Sequence, residues 1–198
     1  MKAAREFVGR YGALLGLAAV GAWAVVLYAY ILRLPFFRDD MVMLLWLREM
    51  PWGRLWVDAT GFPYYRPLSF STLKLSELVF GWPEPVSLHV LNLALHTANS
   101  AMVALLSLRF FEGNGKRIAG IAAGLLFAAY PFTYEIMPTT GPIFQLQAAF
   151  FGMGAALAYA NFKCQPPRGT GGRLSNVKCQ TWVDANAPTV YNGCVAGR

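Results

Sequence analysis

Residues 11–32, which read YGALLGLAAVGAWAVVLYAYIL, decide the fold class of this chain because they form 22 consecutive positions without a charge. At about 1.5 Å of rise per residue, a helix of this length extends roughly 33 Å and crosses a hydrocarbon core about 30 Å thick. A secretory signal peptide has a shorter apolar region that ends at a small-residue cleavage site. The run continues past its one such candidate, residues 22–24, so we interpret it as a membrane span.

Three further apolar runs follow, at about 86–108, 118–137 and 143–162. The whole chain is 56% hydrophobic and only 14% charged, whereas soluble domains are roughly a quarter charged. Together these features predict an all-α membrane protein with about four transmembrane helices. The net charge of +7 does not indicate nucleic-acid binding, because no basic face with interleaved aromatic residues is present.

The basic residues predict the orientation of the spans, because lysine and arginine resist translocation across the membrane. They lie in the N-terminus (1–10), in the turn between the second and third spans, and after the fourth span. The loop 33–85 has six basic and six acidic residues and therefore no positive excess. We expect both termini in the cytoplasm, the loop outside, and an integral protein of the bacterial inner membrane. The flanking residues are Lys2, Arg5, Arg10, Arg109, Lys116, Arg117, Lys163, Arg168, Arg173 and Lys178.

The outer loop 33–85 is too long to be a plain connection, and long ordered loops usually carry function. Its tryptophans and tyrosines favour the membrane interface, so an aromatic belt without chemistry is the simpler interpretation. Two short helices are predicted inside it. One begins at Asp39 or Asp40 and ends near Pro51. The other, about 66–80, is interfacial and amphipathic. The aromatic residues are Trp46, Trp52, Trp56, Tyr64, Tyr65 and Trp82.

Asp39 and Asp40 lie about seven residues beyond the first span and have two possible roles. They can stabilise a helix start through capping and the helix dipole. Alternatively, one of them is a general base or holds a divalent cation. Two adjacent acids resist simultaneous ionisation without a positive charge, which Arg38 or Arg66 could supply. The spacing alone leaves both roles open.

The second span carries a polar stripe within an arc of roughly 80°. Such a stripe in a membrane helix must face protein or water, and interhelical hydrogen bonding is its simplest role. In the alternative role, His89 near the outer end lines a site that the loop can reach. Glu135, near the outer end of the third span, either extends to water or lines the same site. The stripe consists of His89, Asn92, His96, Asn99 and Ser100.

Three segments in this order carry a family resemblance: FRDD at 37–40, YYRPL at 64–68 followed by HVLNLALH at 89–96, and LFAAYP at 126–131 followed by Glu135. They resemble the multi-spanning glycosyltransferases of the GT-C class. The likeness is greatest to the protein O-mannosyltransferase-like branch, including the membrane half of the transferases that carry tetratricopeptide repeats. It covers about residues 8–162.

The resemblance implies that a sugar is transferred from a polyprenyl-phosphate donor to an acceptor on the outer side. It implies an acidic residue in the first outer loop that is the base or a metal-associated group, which is Asp40 or Asp39, with Asp40 preferred. We infer that Arg66 binds the donor phosphate, with Tyr65, His89 and Glu135 as further substrate-binding candidates. The alternative is a non-enzymatic four-helix membrane protein that serves as an assembly factor or a remnant.

From residue 163 onward the chain is polar and lacks another apolar span, so we expect a disordered tail. Family members have more spans, and the abrupt change in composition suggests a truncated or frame-shifted end. The three cysteines, Cys164, Cys179 and Cys194, all lie in this tail. Their spacing lacks the paired C-x-x-C pattern of a zinc site, so no metal site is predicted there.

Overall fold

The computed structural model describes residues 2–57, 65–81, 84–111, 113, 115–131, 133–139 and 141–163. This part of the chain is built from helices and contains no strand. The polar tail with its three cysteines, together with Tyr64 and Trp82, lies outside the described residues, so the expectation of a disordered tail stays a prediction. The helices are α1 Lys2–Tyr28, continued by a 3-10 helix Ala29–Arg33, then α2 Arg38–Glu49, α3 Arg54–Val57, α4 Pro67–Phe80, α5 Pro85–Phe110, α6 Lys116–Ala128, α7 Thr133–Ile136 and α8 Ile143–Lys163.

Within the described residues, three segments are long and apolar enough to cross a membrane: Tyr11–Arg33, Pro85–Phe110 and Ile143–Asn161. They confirm the predicted all-α membrane protein. The predicted span 118–137 is not one helix. α6 has 13 residues and extends only about 20 Å, short of a hydrocarbon core about 30 Å thick. Pro131 explains the break, because proline lacks a backbone donor and disfavours a helical conformation at the residue before it.

The contacts between helices show how the chain reverses direction. Gly120 of α6 lies beside Ala104 of α5, and Gly124 lies beside Ser100, so α5 and α6 are antiparallel. Asn92 and Asn99 of α5 bond to Thr139 and Leu146, each 47 positions further along the chain. α8 is therefore parallel to α5. α6 and the segment 129–142 return the chain to the end at which α5 begins.

Three helices between the first two spans, α2, α3 and α4, pack together, and we call them the loop module. Its helices confirm the two that were predicted, at Arg38–Glu49 and Pro67–Phe80. The Lys74 amine of α4 donates to the carbonyl oxygens of Leu47 (2.9 Å) and Met50 (2.6 Å), and so holds the end of α2. The buried core of the module, with one residue each from α5 and α8, consists of Met43, Leu44, Leu47, Leu55, Phe70, Leu73, Leu88 and Ile143.

A seam of small residues joins α5 and α6. Gly120, Gly124 and Ala128 recur every four residues on α6 and are all buried. A Cβ atom added to Gly124 would lie 2.9 Å from the Ala104 Cβ atom and 3.0 Å from the Ser100 carbonyl oxygen. Small residues at this spacing allow membrane helices to approach closely. The short helix α6 is therefore held to α5 by close backbone contact.

The seam predicts that Gly124→Ala destabilises the protein, since the added methyl group forces α5 and α6 apart. We expect a loss of about 1–3 kcal/mol in the free energy of unfolding, the usual range for overpacking. Gly152→Ala on α8 is the matched control, because a Cβ at Gly152 would meet nothing within 4 Å. Unfolding in mixed detergent micelles measures both variants. An equal effect of the two substitutions would contradict the seam.

Candidate functional site

The polar stripe of α5 faces protein, one of the two surroundings that the sequence allowed, and all five of its residues are buried. The Asn92 side-chain amide donates to the carbonyl oxygens of Met137 (3.2 Å) and Thr139 (2.9 Å). His96 Nε2 donates to the Ala128 carbonyl oxygen at 3.2 Å, and Asn99 donates to the Leu146 carbonyl oxygen at 3.0 Å. Non-helical backbone at membrane depth needs partners within the protein. These side chains therefore act as the interhelical hydrogen-bonding groups that the sequence suggested.

Asp40 is a buried carboxylate, with 3% of its surface exposed. Its Oδ2 atom accepts a hydrogen bond from the Phe37 backbone amide at 3.2 Å. Its Oδ1 atom accepts one from the Gly141 backbone amide at 3.3 Å. The first bond closes the start of α2, in agreement with the predicted capping role. The second bond ties the loop module to the turn that leads into α8.

Asp39 is exposed, although it is the next residue to Asp40. The two carboxylates therefore have different environments, one inside the protein and one in contact with its surroundings. Within the described residues, no group of three or more His, Cys, Asp and Glu side chains could hold a metal ion. The divalent cation considered from the sequence has no such ligand group in this part of the chain.

Arg66 lies at the start of α4, half-buried, with its guanidinium carbon 3.5 Å from the centre of the Phe144 ring. It lines a groove of about 250 Å³ between α4 and α8, together with Tyr65, Leu68, Phe144 and Phe151. The sequence predicted Arg66 and Tyr65 as site residues, and the structure brings both to this groove.

Gln147 of α8 fixes the position of the groove. Its side-chain oxygen accepts a hydrogen bond from Ser69 at 2.7 Å, and its amide nitrogen donates to Thr72 at 2.8 Å. Sequence reasoning missed Gln147, although a buried amide inside an apolar run was a readable signal. It also missed Lys74, whose capping role depends on tertiary contact and leaves no local pattern.

Asp40 and Arg66 meet the same end of α8. Asp40 bonds to Gly141 in the turn before the helix, and Arg66 covers Phe144 in its first turn. His89 is fully buried in the first turns of α5, next to Leu88, which packs in the core of the loop module with Ile143 of α8. The structure therefore places Asp40, Arg66 and His89 around the junction of the loop module with α5 and α8.

Two of the predicted site residues, Tyr65 and Glu135, are exposed. The Tyr65 hydroxyl donates to the Trp56 carbonyl oxygen at 2.5 Å, and the Tyr65 ring is 55% exposed. Glu135 lies on α7 and accepts a hydrogen bond from the Tyr134 hydroxyl at 3.1 Å. That Glu135 lines the same site as His89 stays a prediction.

Comparison with known proteins gives three animal relatives. Protein O-mannosyl-transferase TMTC4 of mouse is 30% identical over 162 residues, which cover 77% of this chain and 21% of that protein. Human TMTC4 is 30% identical over 125 residues (58% and 17%). Drosophila protein O-mannosyl-transferase Tmtc1 is 31% identical over 131 residues (60% and 15%).

This chain is distantly related to these O-mannosyl-transferases. The relationship agrees with the coarse part of the resemblance that the sequence analysis describes. The chain spans about a fifth of the length of the curated relatives it matches. No protein-family model matches the sequence, and no solved structure matches it. The relatives named here are eukaryotic, so the bacterial location stays a prediction.

The environments of the two carboxylates predict different effects on stability. Asp40→Ala removes the acceptor for two backbone amides, and leaving such groups unpaired costs about 1–3 kcal/mol. Asp39→Ala removes an exposed charge near a helix start, which costs less than about 1 kcal/mol. Thermal unfolding in nanodiscs compares the two variants. A larger loss for Asp39→Ala would contradict the geometry described for this turn.

Proposed function

We propose that this chain contributes a glycosyl-transfer site at the outer membrane surface, in which a sugar passes from a polyprenyl-phosphate donor to an acceptor hydroxyl. The observation that carries the proposal is Arg66 at a groove whose walls include Leu68, Phe144 and Phe151. A guanidinium group matches the geometry of phosphate oxygens. The aromatic and aliphatic walls suit the hydrocarbon chain of the same donor. The names of the relatives make mannose the first sugar to test.

The reaction needs a base beside the acceptor. The acceptor oxygen forms a bond to the anomeric carbon as the bond from that carbon to the phosphate oxygen breaks. Polyprenyl phosphate leaves, and the acceptor proton passes to a carboxylate. Such a direct displacement inverts the anomeric configuration.

We assign the base to Asp39 rather than to Asp40, which the sequence favoured. Asp39 is exposed, so an acceptor hydroxyl can approach it. Asp40 is 3% exposed and accepts two backbone hydrogen bonds. Its proposed role is to hold the turn that carries Asp39, next to the same end of α8 that Arg66 contacts. Asp39 then acts as the base, and Asp40 holds it in position.

The alternative remains a non-enzymatic membrane protein. It is favoured by the hydrogen bonds of Asn92, His96 and Asn99, which explain most of the polar stripe through packing alone. These bonds do not account for Arg66 at the groove or for an exposed Asp39 beside a buried Asp40. The transferase proposal accounts for both.

Loss of the base predicts that Asp39→Asn lowers the turnover of sugar transfer by about 100- to 10,000-fold, the usual range for general-base catalysis. The side chain keeps its size but loses the ability to accept the proton. The assay follows transfer from polyprenyl-phosphate mannose in proteoliposomes, with Glu49→Gln as the control at another exposed carboxylate of α2. Unchanged turnover in Asp39→Asn, or no transfer by the wild-type chain, would contradict the assignment.

The phosphate role of Arg66 predicts that Arg66→Ala weakens binding of the lipid-linked donor more than Arg66→Lys does. Hydrogen bonds to charged groups contribute about 1.5–3 kcal/mol, so we expect roughly a 10- to 150-fold rise in the dissociation constant for alanine. Binding of radiolabelled polyprenyl-phosphate mannose to nanodisc-held protein measures this. Arg54→Ala, at an exposed arginine of α3, is the matched control. Equal binding by the Arg66 and Arg54 variants would exclude this role.

A further inference from the structure

His89 differs from the other members of the polar stripe. It is fully buried, yet neither of its ring nitrogens has a hydrogen-bond partner within the described residues. Asn92, His96 and Asn99 each reach a backbone carbonyl instead. Buried polar atoms in folded proteins are nearly always paired, with protein or with ordered water. The packing role that explains the rest of the stripe therefore does not explain His89.

The surroundings of His89 are rich in hydrogen-bond acceptors. The Asp40 carboxylate accepts a hydrogen bond from Gly141, and the Asn92 amide donates to Thr139 two residues earlier, so both side chains meet the same turn next to the start of α5. Asn92 is three residues further along α5, which places it on the same helix face. The Asn92 side-chain oxygen is also buried and has no partner within the described residues. Carboxylate and amide oxygens only accept, whereas a neutral imidazole has one donor and one acceptor nitrogen.

We propose that a single buried water molecule joins His89 to Asp40 and Asn92, and that His89 is thereby a positioning residue for the Asp39–Asp40 turn. The water accepts a hydrogen bond from the ring N–H and donates one to the Asp40 carboxylate and one to the Asn92 oxygen. Three hydrogen bonds are typical of a buried water. A direct bond between His89 and Asp40 would leave the Asn92 oxygen unpaired, whereas the water gives a partner to the ring N–H, to the Asp40 carboxylate and to the Asn92 oxygen.

The catalytic consequence of this inference rests on the proposed function. Asp40 closes the start of α2 and bonds to the turn before α8. A water that orients the Asp40 carboxylate therefore also fixes the direction of the adjacent Asp39. His89 would act on the acceptor-side base through Asp40, without contacting the substrate.

The first test measures the NMR signals of the His89 ring and does not require enzymatic activity. The chain has two histidines, His89 and His96, so protein with ¹⁵N-labelled imidazoles in nanodiscs gives signals from two rings. We expect a water cross-peak at His89 and a shift of its ¹⁵N resonances in Asp40→Asn. His96 bonds to the Ala128 carbonyl and stacks on Phe127, so its signals should stay in place.

Three results of this experiment would overturn the inference. The first is the absence of a water cross-peak at His89, and the second is an unchanged His89 resonance in Asp40→Asn. The third comes from adding Mn²⁺ and recording the line widths of the histidine signals. Selective broadening of the His89 signals would mean that these side chains hold a divalent cation instead of a water.

The second test separates positioning from mere packing. His89→Leu removes the polar ring, whereas His89→Gln keeps a side chain that can donate to the water. We expect His89→Leu to lower kcat for mannose transfer by up to about 100-fold, because small displacements of reacting groups have effects of this size. The KM for the donor should not change, since Arg66 is untouched, and His89→Gln should restore most of the kcat.

Equal losses in His89→Leu and His89→Gln, or a loss confined to KM, would contradict the positioning role. If the wild-type chain transfers no sugar, the proposed function fails, while the imidazole signals still decide whether the water bridge exists. The failures of the two proposals are therefore distinguishable.

Discussion

The fold depends on pairing the backbone carbonyl groups of the segment that follows α6. This segment leaves helical geometry at Ala128, level with His96 in the middle of α5, a helix long and apolar enough to cross a membrane. In a hydrocarbon core, water could not satisfy the freed carbonyls. Asn92 and His96 of α5 supply the missing donors to Ala128, Met137 and Thr139. Without them the chain could not run in irregular backbone at this depth. The path of the described residues from Thr133 to Thr139 follows from this arrangement.

The candidate site is a product of the same constraint. Because Asn92 holds the segment that ends at Thr139, Gly141 comes to lie beside the start of α2, where its amide bonds to Asp40. α8 then begins next to α4, and the hydrogen bonds from Gln147 of α8 to Ser69 and Thr72 of α4 hold the two helices side by side. The Arg66 groove forms between them. A polar stripe that packs the bundle therefore also determines where the exposed Asp39 and the half-buried Arg66 stand.

Much of this could be predicted from local patterns in the sequence. The uncharged run 11–32, the capped start of α2, Pro67 at the start of α4 and the buried face of the α5 stripe are each encoded within a few turns of chain. Whether residues 118–137 form one transmembrane helix was harder to predict, because hydrophobicity alone does not distinguish a continuous span from a helix broken at Pro131. The separate environments of Asp39 and Asp40 could not be read from spacing, since the Gly141 amide comes from 101 positions away. The roles of Lys74 and Gln147 depend on helix packing in the same way.

The short helix α6 has a consequence for the lipids around it. Its 13 residues cover about 20 Å of a hydrocarbon core about 30 Å thick, so the irregular backbone after α6 occupies the remaining thickness on this side. The rings of Tyr130 and Tyr134 in that backbone are exposed, and tyrosine is enriched where the hydrocarbon core meets the headgroups. Lipids on this side would therefore pack against aromatic rings instead of the aliphatic face of a continuous helix.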